Sequence, residues 1–150
     1  MLSFRDITPQ DHDIILPMVR DFYQTDAVLH PVDESILERT FRDAADATEP
    51  LLRGVLISWD GQPAGYLYIT LCYSAEVGGR CVFLEEIYLL PEFRGKGLGL
   101  DILSWIEQSY PGARRLRLEV NHVNQGAVHL YEKAGYTYLR YEQMIIDKVK

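Results

Sequence analysis

A mixed α+β fold follows from three features of the chain. Apolar periodicities of two and of 3.6 residues alternate in the order β-α-α-β-β-β-α-β-α-β. Two β-rich runs between Leu51 and Tyr73 meet at Asp60-Gly61, a strong hairpin signal. Residues 82–120 read strand, helix, strand, which predicts a right-handed parallel crossover inside an otherwise hairpin-built sheet.

Each element has its own warrant. Ser3–Ile7 reads as a short first strand. Thr8 is placed to cap a helix, with Pro9 at the first helical position and Asp11 three residues after the cap. Ile14, Ile15, Met18, Val19 and Phe22 then recur at helical spacing, and Pro17 inside that pattern predicts a kink or break. A second helix, from about Asp33 to Ala45, carries Ile36, Leu37, Phe41 and Ala44 on one face. After the hairpin, Gly78-Gly79 marks another turn, and Cys81–Leu90 is a strand that is apolar except for Glu85 and Glu86. A helix begins near Leu98, with Ile102, Trp105 and Ile106 on its inner stripe. Leu116, Leu118 and Val120 alternate as a strand, and Gln125 to Ala134 is a short helix stopped by Gly135. Residues 136–149 read as a final strand. No linker, repeat or low-complexity stretch interrupts the 150 residues, so one domain over 1–150 is expected.

Composition narrows the function classes. Fifteen basic against 22 acidic residues leave a net charge of −7, opposite to the basic face that nucleic-acid binding demands. The same acidity favours a cationic substrate, or serves only solubility. No run approaches the roughly 20 apolar residues of a membrane span, and the N-terminus has no signal-peptide pattern. Cys72 and Cys81 lie in strand-like runs without metal-ligand spacing, which predicts two reduced, buried thiols, a cytoplasmic protein and no metal. His12, His122 and His129 have no ligand spacing and read as surface or packing residues.

Pro91–Gly99, PEFRGKGLG, is the densest chemical signal. Gly97 is followed by Leu98 rather than by Lys-Ser or Lys-Thr, so it is no ATP-type phosphate loop. The G-x-G-x-G spacing misses the dinucleotide fingerprint, and a loop that opens a helix is not a kinase loop. What remains is an anion held by successive amides at a helix N-terminus, with Arg94 and Lys96 beside it, or a turn without a ligand.

Arg94-Gly95-Lys96-Gly97-Leu98-Gly99 resembles the R/Q-x-x-G-x-G/A signature of the GNAT superfamily of acetyl-CoA-dependent N-acetyltransferases. Asn124–Tyr136 resembles that family's N-x-x-A-x-x-x-Y-x-x-x-G-[FY] element, and the two motifs stand in register. The resemblance implies the GNAT fold, with its parallel strand pair splayed apart and helices on both faces of the sheet. It also implies acetyl-CoA as donor. Arg94, Gly95, Lys96, Gly97, Leu98 and Gly99 would cradle the coenzyme A pyrophosphate. Ile87, Tyr88 and Leu89 would run beside the pantetheine arm, and Asn124, Gly126 and Ala127 would receive it from the next helix. Tyr131 would donate a proton to the departing thiolate.

The acceptor is less constrained. Burying an unpaired charge in a strand is costly, so Glu85 and Glu86 call for a reason. Strict alternation puts Glu85 on the side of Ile87 and Leu89, with Glu86 opposite unless a bulge shifts the register. The Leu84-Glu85-Glu86 placement is similar to that of the polyamine acetyltransferase branch, which implies Glu85 as base or amine anchor. Glu86, Tyr23 and Asp26 are further candidates to bind the acceptor, and His30, Asp33, Tyr73 and Glu76 complete the polar set. The expected acceptor is a small cationic amine. A protein amine, another amine metabolite and a sensor that binds acetyl-CoA without turnover stay open. A homodimer is expected only by analogy with the family.

Overall fold

The computed structural model describes residues 1–149. Its sheet has five strands in sequence order: β1 (Leu2–Asp6), β2 (Leu52–Trp59), β3 (Gln62–Ser74), β4 (Gly79–Leu89) and β5 (Arg115–Leu118). Every neighbouring pair is antiparallel except β4 and β5, which run parallel. Helices α1 (His12–Phe22) and α2 (Glu34–Ala44) cover one face, where Ile15, Leu16, Val19, Leu37 and Phe41 pack on Tyr66, Tyr68 and Tyr88. Helices α3 (Leu98–Ser109) and α4 (Gln125–Lys133) cover the other face, where Ile102 and Ile106 pack on Val55, Leu67, Ile69 and Val82.

Local chemistry sets the boundaries. Thr8 and Asp11 form the expected capping box around a single 3-10 turn, and Arg5 grips both Asp11 oxygens at 2.8 and 2.7 Å. That guanidinium, with the Thr8 bonds, holds the Asp11 carboxyl down at about 2. Pro17 does not break α1. Its missing N–H would have met the carbonyl of exposed Asp13, where water can substitute, while Leu16, Met18 and Val19 are buried around it. At the hairpin, Asp60 (φ 48°) and Gly61 (φ 80°) both take the left-handed conformation that a two-residue turn with the sheet's twist requires.

Two expectations fail here. Residues 137–149 form no strand: they run exposed beside β5, tied by Gln143 Nε2 to Glu119 Oε1 at 2.7 Å. A strand exists only through a ladder partner, and Met144, Ile145 and Ile146 are consecutive rather than alternating, so no register buries them together. Cys81 is buried as expected, but its cross-strand partner Cys72 is exposed, because β3 runs past the helices that cover its middle.

The sheet is densest at Gly65, where an added Cβ would overlap the Tyr88 carbonyl and stand 3.0 Å from Leu89 Cδ2. Backbone cannot yield as a side-chain tip can. Gly65→Ala is therefore expected to cost roughly 3 kcal/mol and to lower the melting temperature by about 6–12 °C, read by calorimetry. A change below about 2 °C would show that β4 shifts freely there.

Candidate active site

The parallel pair holds only from Cys81–Leu84 against Arg115–Leu118. Beyond it β4 continues to Leu89 paired only with β3, while the chain after β5 turns away through Glu119–Asn121. A register shift between Tyr68 and Ile69 sits at this point: Ile69 faces Leu84, Tyr68 faces Glu86, and Glu85 is the extra residue of a bulge. The two strands therefore splay, and a cleft of about 730 Å³ opens in the gap.

Its walls gather most of the expected residues. Glu85, Ile87, Tyr88 and Leu89 line it from β4. Arg94, Gly95, Gly97, Leu98 and Gly99 line it from the glycine loop, and Asn124, Gly126, Ala127 and Tyr131 from α4. Asp26 lies on the remaining wall with Phe22, Thr25 and Ala27, a stretch for which only Asp26 carried a sequence signal. His129, read from sequence as surface or packing, also faces the cleft.

The loop geometry suits an anion. Gly95 (φ 71°) and Gly97 (φ 77°) occupy left-handed backbone with open space where a Cβ would stand. Gly97 caps α3 without any side-chain bond, so the first amides and the positive end of the helix dipole face the cleft uncapped. Gly99 is different: its absent Cβ would sit 2.8 Å from Leu130 Cδ2, so this glycine brings α3 close to α4. Arg94 lies back on the strand end, its Nε donating to the Leu89 carbonyl at 2.7 Å and its guanidinium 5.1 Å above the Tyr88 ring. Lys96 does not line the cleft; its ammonium stands 5.6 Å from the Phe93 ring. Asn124 caps α4, its Oδ1 accepting the Ala127 N–H at 3.3 Å, and Gly126 leaves the wall open behind it.

A model of the acetyltransferase (GNAT) family matches residues 16–136, which span every element of this cleft. The chain belongs to the GNAT family of acetyltransferases. Among curated relatives, thialysine N-epsilon-acetyltransferase of Mus musculus is 29% identical over 141 residues, 87% of this chain and 81% of its own length. A possible acetyltransferase from Clostridium difficile 630 shares the fold with a TM-score of 0.81 at 16% identity, covering 100% of this chain and 99% of that one. A predicted acetyltransferase from Clostridium acetobutylicum, solved with acetyl-CoA, has a TM-score of 0.75 at 15% identity, covering 97% of this chain and 96% of that one.

In this GNAT enzyme the two catalytic candidates enter the cleft from different elements. Tyr131 comes from α4, is buried, and packs its ring 6.0 Å from that of Tyr136. Burial pushes its phenol up to about 12, so it is a neutral O–H donor across the physiological range. Glu85 comes from the bulge, is exposed, and accepts a hydrogen bond from Thr70 Oγ1 at 2.9 Å. The bulge cancels the alternation expected from sequence: Glu85 stands with Thr70 rather than on the side of Ile87 and Leu89.

Glu86 does not reach the cleft. It is 8% exposed, its Oε1 accepting from the Tyr23 hydroxyl and its Oε2 from the Tyr66 hydroxyl, both at 2.6 Å. Burial raises its carboxyl above the usual range, and the two phenol bonds oppose that rise. The remaining polar set disperses. Asp33 caps α2 through Ser35, Tyr73 is exposed, and Glu76 stands 3.9 Å from Arg115 at the opposite end of β4. The turn joining β3 and β4, with the candidates Tyr73 and Glu76 beside it, is therefore at the far pole of the strand. Among the described residues no helix is long and apolar enough to cross a membrane, and no acidic, His or Cys cluster is arranged to hold a metal.

Gly97 offers a direct test of the loop. Gly97→Ala forces a side chain into left-handed backbone, worth about 1–2 kcal/mol of local strain in an exposed loop. The acetyl-CoA KM is expected to rise about tenfold, with the melting temperature down by less than about 5 °C. An unchanged KM would remove the loop from donor binding.

Proposed function

We propose that this acetyltransferase moves the acetyl group of acetyl-CoA to the primary amine of a small cationic acceptor, both substrates being bound together in the cleft. The observation that carries this is the meeting of Glu85 and Tyr131 in one cleft that also opens onto the left-handed glycines of the loop.

Gly95, Gly97 and the uncapped first turn of α3 would hold the pyrophosphate, with Arg94 swinging from the Leu89 carbonyl to meet it. Ile87, Leu89, Asn124, Gly126 and Ala127 would flank the pantetheine arm, because each lines the same cleft as the open glycines of the loop. Bound acetyl-CoA supplies an acyl carbon activated as a thioester and a thiolate leaving group.

The chain's own side chains then move two protons. A primary ammonium must lose a proton before it can attack, and the Glu85 carboxylate, exposed at the bulge, anchors that ammonium and takes its proton directly or through water. Tyr131, which lines the same cleft, would donate its phenolic proton to the departing thiolate, and burial keeps that proton in place until it is needed. The net charge of −7 and the cleft acids Glu85 and Asp26 favour a cationic acceptor over an acidic one. The thialysine acetyltransferase relative, named for an amino group on a side chain, fits the same class.

Release of free thiol from acetyl-CoA, followed across diamines, lysine analogues, aminoglycosides and peptide N-termini, tests the reading. Turnover concentrated on small dications is expected. Acetyl-CoA binding with no turnover on any amine would replace the enzyme reading by that of a sensor, and preference for peptides would replace the acceptor class.

A further inference from the structure

We propose that Glu86 is a positioning residue that sets the acceptor-side wall of the cleft through Tyr23, with Tyr68 as a spare donor that lets this latch release. The inference rests on the acetyl-transfer reading above. It concerns a carboxylate that the catalytic scheme does not use.

A carboxylate 8% exposed in a core of aromatic rings is expensive to keep. Among the described residues no Lys or Arg pairs with it; its partners are the Tyr23 and Tyr66 hydroxyls, one on each oxygen. Tyr66 is fully buried on β3 and cannot move without the sheet. Tyr23 is the C-cap of α1, half-buried, and opens the segment in which Thr25, Asp26 and Ala27 line the cleft beside Phe22. The bond from Tyr23 to Glu86 therefore ties the acceptor-side wall to β4, one residue from the bulge that presents Glu85. A second bond, Tyr88 hydroxyl to Asp21 at 3.3 Å, ties the same helix end more loosely.

Tyr68 supplies the other half of the argument. It stands directly across the ladder from Glu86, is 1% exposed, and its hydroxyl is buried without a partner. Its ring is 5.0 Å from that of Tyr66. An orphaned hydroxyl in a packed core calls for a function. Three phenols surround this one carboxylate: Tyr23 and Tyr66 each bond one oxygen, and Tyr68 bonds neither. With the wall closed, the spare is Tyr68. When Tyr23 swings out, Tyr68 can donate to the vacated oxygen, and the charge never stands unpaired. The exchange offsets part of the hydrogen-bond cost of opening the wall, which is what an entrance for a polar acceptor needs.

Two readouts test this, one of which needs no turnover. Amide hydrogen exchange is followed at Gln24 and Thr25, whose N–H groups bond to the Asp21 and Phe22 carbonyls at the wall. Tyr23→Phe is expected to speed that exchange about 3- to 10-fold, the range of one ordinary net hydrogen bond, and Tyr68→Phe to slow it about threefold. In steady state, Tyr23→Phe raises the acceptor KM about 3- to 10-fold and changes the acetyl-CoA KM by less than about twofold. Glu86→Gln takes the charge from the acceptor and has a similar but smaller effect, and adding Tyr23→Phe to it costs less than Tyr23→Phe alone, because both act on the same bond.

Equal movement of both KM values with a fall in melting temperature would reduce the network to packing. A raised acceptor KM in Glu86→Gln but not in Tyr23→Phe, with exchange unchanged, would make Glu86 a direct ligand. Either result overturns the latch. A wild-type protein that turns over no amine would sink the acetyl-transfer reading, and the exchange measurement would still decide the latch.

Discussion

Tyr131→Phe is expected to lower kcat about 100-fold while leaving both KM values within about threefold. The substitution keeps the ring buried against Tyr136 and removes only the O–H. A proton held up at about 12 contributes little to binding the ground state and much to a sulfur that is gaining negative charge. The loss therefore falls on kcat and on kcat/KM alike. Steady-state kinetics against both substrates reads it, and circular dichroism should show the same fold. An unchanged kcat would leave Tyr131 as a packing residue of α4, with water protonating the thiolate.

Glu85→Gln is the second large effect. The amide keeps the size of the side chain and can still bond Thr70, but it can neither balance an ammonium nor accept its proton. The acceptor kcat/KM is expected to fall about 100-fold, with the acetyl-CoA KM within about twofold. The pH profile gives the sharper test. With the carboxylate gone, only amine already deprotonated in solution reacts, so the rate of the variant should climb with pH towards the acceptor's own pKa. A profile superimposable on that of the wild type, at undiminished kcat/KM, would exclude Glu85 as base and as anchor.

The elements that local chemistry governs could be read from the chain. The Thr8–Asp11 capping box, the left-handed Asp60-Gly61 turn, the Gly135 stop after α4 and the parallel crossover from β4 to β5 all stand where the pattern placed them. So do the glycines of the loop at Gly95 and Gly97, because positive φ is a property of the residue itself. Gly99 could not be told apart from them in sequence. Its purpose is a neighbour, Leu130, that lies 31 residues away.

The acidic pair shows where reading by alternation ends. A two-residue period sends Glu85 and Glu86 to opposite faces; Glu86 does lie opposite Ile87 and Leu89, but a single bulge takes Glu85 out of the alternation, to the side of Thr70. Nothing in Leu84-Glu85-Glu86 tells which carboxylate meets Thr70 at the cleft and which meets Tyr23 and Tyr66 in the core. Residues 137–149 fail for a related reason, since a strand-like composition makes no strand without an accepting edge.

By itself, then, the sequence determined the family and marked out the glycine loop proposed to bind the donor and the tyrosine proposed as proton donor. These depend on residue types at short, fixed spacings, which the chain carries wherever it folds. The tertiary structure alone decided where along β4 the splay from β5 begins, the exposure of Glu85 and the burial of Glu86 among three tyrosines. Those depend on register between strands, and register is a relation between distant backbones that no local spacing records.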